Sequence, residues 1–221
     1  MASPNSSAKG TEVAAAMPAQ AADSPSLPLY VLIPPSPLFA AHGSLFVPDT
    51  SSFDIISRRQ EDSSTGRRIH VSGDRLNGFH LEIIRNYDIN KHKAVGTRRF
   101  KIGLIPSRCL SRDEAQGPSD AGNAIQKDDE EGGGNVDNRP TDDFERAVLE
   151  IEAPGPSLNS AQSAVGSDGR RMKAEVKDCQ WWVREVVRHI FEQGLLMPLN
   201  DSFGVQDSKG PLEMVESLPV H

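Results

Sequence analysis

Between Asp178 and Gly194 the chain reads DCQWWVREVVRHIFEQG, and apolar residues recur in it at helical spacing. Cys179, Trp182, Val183, Val186, Val187, Ile190 and Phe191 follow i, i+3, i+4, i+7, i+8, so they share one face of a helix. Arg184, Glu185, Arg188 and Glu192 fall on the opposite, water-facing side. Asp178 supplies an N-cap and Gly194 a terminator. A helix with so wide an apolar stripe must bury that stripe against another layer. The rest of the sequence therefore has to provide one.

Four short runs meet that need by alternating with period two. His42 to Val47 ends at Pro48. In Arg67 to Val71, Ile69 and Val71 share a face, with Arg68 and His70 opposite. In Gly78 to Arg85, Phe79, Leu81 and Ile83 share a face, with His80 and Glu82 opposite. In Arg99 to Ile105, Phe100, Ile102 and Leu104 share a face, with Lys101 and Gly103 opposite. Gly, Asp, Asn and Ser clusters separate the runs, as turns require. Tyr30 to Pro37 is apolar but broken by proline, and is expected at a sheet edge. Asp49 to Gly66 reads as a polar loop. A second helix is capped by Asp142, with Glu145 closing a capping box; Phe144, Ala147, Val148 and Ile151 form its apolar face, and Pro154 ends it. Strands followed by helices give an α+β fold: an antiparallel sheet of about four to five strands packed by two helices.

Composition sets the domain's limits. The hydrophobic fraction is 37% and Pro plus Gly number 34 (16 and 18), concentrated outside the periodic runs. Residues 1–27 read as a disordered tail, 28–197 as one domain, and 198–221 as a loose C-terminal tail. The stretch 111–140 interrupts the domain as a disordered acidic insertion. From Ser111 to Glu150 there are twelve acids against four Arg or Lys, which makes a solvated linker or a binding segment for a basic partner. A folded core of roughly 120 to 140 residues remains.

Residues 58–101 carry eleven Arg or Lys and five acids, as a solvated sheet face does, and the net charge of the whole chain is -7. Nucleic acid is therefore not an expected partner. The first 27 residues hold one Lys, no Arg and no continuous apolar run, and no run of 18 apolar residues occurs anywhere. No leader and no membrane span are expected, and the expected compartment is cytoplasmic or nuclear. Two distant cysteines, Cys109 and Cys179, make neither a disulfide framework nor a zinc site; no metal and no cofactor are expected.

Cys179 stands in the first turn of its helix, where free N–H groups and the positive dipole end favour a thiolate. The same position on the stripe suits a buried core cysteine equally well. A nucleophile needs a base. His189 is ten residues along the same helix, about 15 Å away. His221 is on the tail and His92 in a turn. His80 lies opposite its strand's apolar face. His42 and His70 open and occupy neighbouring strands, and are the candidates to face the helix.

The segments His42-Gly-Ser-Leu-Phe-Val-Pro, Ile69-His70-Val-Ser-Gly, Asn77-Gly-Phe, Pro154-Gly-Pro-Ser-Leu-Asn159 and Asp178-Cys179-Gln-Trp-Trp-Val resemble a group of small uncharacterised filamentous-fungal proteins over most of residues 38–196. More remotely, the order His42, His70, Cys179 is similar to the permuted papain-like fold of the NlpC/P60 superfamily. Lecithin:retinol acyltransferase (LRAT) and the PPPDE-type isopeptidases belong there. Asp178-Cys179 stands where Asn-Cys is usual, and His42 is followed by Gly where an aromatic is common. The resemblance implies a thiol hydrolase or acyltransferase. Cys179 would attack an acyl or amide carbonyl of an unknown substrate, His42 would act as base, and His70 would orient it. The N–H of Gln180 would contribute to an oxyanion hole. The alternative is a non-catalytic binding or accessory protein of the same fold, acting in a fungal biosynthetic pathway.

Overall fold

The computed structural model describes residues 26–35, 42–54, 59–91, 96–110, 135–136, 138–157, 177–199 and 209–219. The N-terminal tail up to residue 25, most of the acidic insertion, the polar loop over 158–176, His92 and His221 lie outside the described residues.

The strands are β1 (Ser26–Ile33), β2 (Ser44–Pro48), β3 (Ser51–Asp54), β4 (Arg59–Asp62), β5 (Thr65–Asp74), β6 (Gly78–Asp88), β7 (Arg98–Pro106) and the two-residue β8 (Asn135–Val136). The helices are α1 (Asp143–Leu149), α2 (Cys179–Glu192) and α3 (Pro211–Glu216). Six strands form one antiparallel sheet in the order β7-β1-β2-β5-β6-β8, and β3 and β4 form a separate hairpin. The α+β class read from the sequence holds.

The sheet's alternation sorts its side chains into two layers. Leu29, Val31, Leu45, Ile69, Val71 and Ile83 face the helices and join Phe144, Trp182, Val186 and Ile190 in one core. Each such side chain, fully withdrawn from water, contributes about 1.5–3 kcal/mol. Trp182 is wholly buried, and its indole N–H donates to the Ile151 carbonyl at 3.1 Å, so a polar atom inside the core is satisfied. On the other face, Tyr30, Leu32, Phe46, Ile84, Tyr87 and Ile89 make a second cluster. The β3–β4 hairpin reaches it through Asp62, which accepts from the Tyr30 hydroxyl.

α1 is tied to the sheet by charge. Glu145 is fully buried and accepts from Arg67 at 2.9 Å, Arg85 at 2.6 Å and the Thr141 amide at 2.8 Å. Asp142 caps the helix through the Glu145 N–H at 2.7 Å, and Arg67 also pairs with it. The Glu145 side chain thus also ties the cap to the sheet arginines and Thr141.

Several boundaries differ from the sequence reading. β1 lies between β7 and β2, not at an edge; Pro34 and Pro35 follow its last paired residue, Ile33, and remove no ladder bond. The loop over 49–66 contains the β3–β4 hairpin, whose polar strands show no apolar alternation to betray them. The C-terminal stretch read as loose carries α3, which packs Val215 into the core. Among the described residues no helix is long and apolar enough to cross a membrane.

Candidate active site

α2 begins at Cys179, and the Asp178 carboxylate caps it by accepting the N–H groups of Gln180 at 3.1 Å and Trp181 at 3.0 Å. Arg75 holds that carboxylate from the β5–β6 turn at 2.6 Å. The cap fixes where the thiol sits, at the start of α2 against the beginning of β2. Gly43 lies against this turn, since a Cβ on it would stand 3.4 Å from Val183 Cγ2 and 3.9 Å from Gln180 Cγ. The thiol is 7% exposed. Burial pushes its pKa above the ordinary thiol value, and the nearby Asp178 carboxylate adds to the rise. The backbone N–H groups of Gly43, Gln180 and Cys179 itself oppose it without cancelling it. The resting sulfur is therefore a protonated thiol at neutral pH.

His42, the residue before Gly43, does not stand alone. Its Nε2 is 3.0 Å from His70 Nδ1, with the two rings edge to face at 5.2 Å between centroids. His70 Nε2 is 3.1 Å from Glu82 Oε2, and Glu82 Oε1 is 3.0 Å from His80 Nε2. Strand pairing builds this chain: His70 is directly opposite Glu82, and Ser72 opposite His80. Contact with the two imidazoles holds the Glu82 carboxyl down to about 2, His70 contributing most, so it is ionised at neutral pH. Burial first, then the neighbouring His70 and Arg68, lower His42 to about 4, with Glu82 opposing, so that ring is neutral.

The sheet places these groups differently from the sequence expectation. Ile69 and Val71 take the helix side of β5, so His70 between them points to the opposite face, as Glu82 does between Leu81 and Ile83. His70 does not face α2. The chain of imidazoles approaches the thiol only at the open end of β2, through His42. Among the described residues no side-chain hydrogen bond joins Cys179 to an imidazole; Gly43, next to His42, lies against the first turns of α2. The Gln180 N–H already serves the Asp178 cap at 3.1 Å.

A family model matches the chain over residues 29–197, that of a family of unknown function, DUF6540. The protein belongs to that family. No curated protein and no solved structure matches it. The matched span of this DUF6540 protein covers every strand of the main sheet except the first residues of β1, both α1 and α2, and the whole Cys179–His42–His70–Glu82 constellation. His189 stands apart from the site. His189 pairs with Glu150 at 2.7 Å on α2's far turn, as its distance along the helix required. Cys109 lies in the short turn after β7, where burial raises its pKa too.

Glu82 was not singled out by the sequence reading. Its position opposite His70 was accessible there: the Asp74-Arg-Leu-Asn-Gly78 turn pairs 74 with 78, and counting back along both strands sets 70 against 82.

Proposed function

We propose that this DUF6540 protein is a thiol hydrolase or acyltransferase with a permuted papain-like arrangement of Cys179, His42 and His70. The observation that carries the reading is the junction at Gly43. Gly43 lies against the start of α2, where the thiol sits, and the residue before it heads an ordered His–His chain. With Nε2 of His42 engaged on His70, its Nδ1 is the nitrogen left to act as base.

The Cys179 S–H proton passes to His42 Nδ1 as sulfur bonds to a carbonyl carbon, and the carbonyl π pair moves onto oxygen. Collapse expels an amine or alcohol, which takes the proton from His42 and leaves a thioester on Cys179. Water, or an acceptor hydroxyl or amine, then gives its proton to His42 as it adds to the thioester carbonyl, and collapse releases the acyl product and the Cys179 sulfur, which takes that proton back from His42. The resting thiol is neutral, so this is base-assisted attack rather than a standing thiolate–imidazolium pair. Catalytic hydrogen bonds of this type are commonly long before substrate binds.

A second reading, a non-catalytic module of the same fold, draws on the buried thiol and its lack of an imidazole hydrogen bond. The two separate in one experiment. The full chain is treated with p-nitrophenyl acetate at pH 7 and acetylation of each cysteine is followed by mass spectrometry. The enzyme reading expects acetyl transfer to Cys179 that slows by about 10²–10⁴-fold in His42→Ala. Equal rates at Cys179 and Cys109, unchanged in His42→Ala, would leave the non-catalytic reading.

A further inference from the structure

The His–His contact by itself does not fix which nitrogens carry protons. Either His42 donates from Nε2 to a bare His70 Nδ1, or His70 donates from Nδ1 to a bare His42 Nε2. Only the first leaves His42 Nδ1 free to accept a proton. In the second, neutral His42 carries its proton on Nδ1 and has no basic nitrogen to offer the thiol. The chain must therefore be polarised from its far end.

We propose that Glu82 is the positioning residue that sets this polarity: its carboxylate, paired with His70 Nε2, keeps the single proton of a neutral His70 on that nitrogen, so that His70 Nδ1 accepts from His42 and His42 Nδ1 is bare. The geometry is a continuous run of contacts at 3.0 Å between the imidazoles and 3.1 Å from His70 to Glu82. An ionised carboxylate is acceptor-only, so it can meet only a protonated Nε2. The other charged groups at the chain do not compete for that oxygen. Arg68 donates to Ser44 Oγ at 3.2 Å and stacks over Tyr87, and His80 takes the second carboxylate oxygen, Oε1. Glu82 is on the sheet face away from α2 and acts through two imidazoles without touching the reacting atoms.

The inference rests on His42 being the base, but its test reads the rings directly. In the full chain labelled with 15N-histidine, long-range 1H–15N spectra at pH 7 report which nitrogen of each ring is protonated. The expected result is Nε2–H on both His42 and His70 in the wild type. Glu82→Gln, whose amide can donate to a bare His70 Nε2, should shift His70 and then His42 toward Nδ1–H. Acetyl transfer to Cys179 should fall by about 10²-fold or more with it, on the scale by which a wrong imidazole tautomer impairs a base. His80→Asn should leave both rings as in the wild type. Nδ1–H on His70 in the wild type overturns the proposal, and needs no variant to fold. Wild-type tautomers persisting in Glu82→Gln overturn it as well. If the tautomers shift as expected while wild-type Cys179 stays unacylated, Glu82's role stands and the enzyme reading falls.

Discussion

His42 gives the protein an acid-sensitive point whose sign follows from its environment. Burial and the neighbouring His70 and Arg68 lower it to about 4, against about 6.5 in an unfolded chain. Above pH 6.5 the ring is neutral in both states and has no effect on the balance. Between 6.5 and 4 the unfolded chain binds a proton that the folded chain refuses, so stability falls through that window. Below 4 both bind it and the loss levels off at about 3 kcal/mol. His42→Asn, which cannot titrate, should show a flatter decline in urea midpoint from pH 7 to pH 4. Parallel curves for the two proteins would count against a buried neutral His42. Cys179, His42 and His70 were legible as residue types at telling places, a helix start and two strand positions. Which face each takes was not. Ile69 and Val71 decide that for His70 by claiming the core, and the choice depends on a layer that local sequence does not contain.

At the scale of elements, caps and stripes were readable because the interactions behind them lie within one turn. Asp178 and the Cys179-to-Ile190 stripe of α2 are in place, as are Asp142 and the Phe144, Ala147 and Val148 face of α1. The β3–β4 hairpin and α3 were not readable, since the sequence of one shows no apolar alternation and the other buries only Pro211 and Val215 in six residues. Asp178 does two jobs with opposite consequences. As a cap it stabilises α2 by about 1 kcal/mol; as an anion it helps hold the adjacent thiol protonated. Asp178→Asn retains a capping oxygen and removes the charge. It should leave the denaturation midpoint nearly unchanged while shifting the iodoacetamide labelling of Cys179 to lower pH. Asp178→Ala should shift labelling in the same direction and also lower stability by about 1 kcal/mol. Labelling that keeps its wild-type pH profile in Asp178→Asn would show that the carboxylate does not act on the thiol.

Across the whole molecule, the chain leaving α2 closes the structure on itself. Leu104 and Met197 exchange two backbone hydrogen bonds, 2.9 Å and 2.8 Å, so the stretch after α2 lies along β7, whose other neighbour is β1. That pairing covers part of an edge that would otherwise be open to another chain. It is possible because residue 103 has no side chain. A Cβ at Gly103 would fall 2.6 Å from Leu196 Cδ1 and 2.7 Å from the Met197 carbonyl oxygen. In the sequence this glycine is only the polar-face partner of Lys101 in an alternating strand; its role depends on a segment more than ninety residues later. Leu196 could shift, being the end of a side chain, but the Met197 carbonyl is backbone and is held by Leu104. Gly103→Ala should therefore cost about 1–3 kcal/mol and loosen this pairing more than the central ladder. Hydrogen exchange should show the Leu104 and Met197 amides losing protection while Ile69 and Ile83, in the β5–β6 pair, keep theirs. Equal loss at all four amides would mean that the exit segment and the central sheet open as one unit, and that the contact at β7 is no weaker than the core it covers.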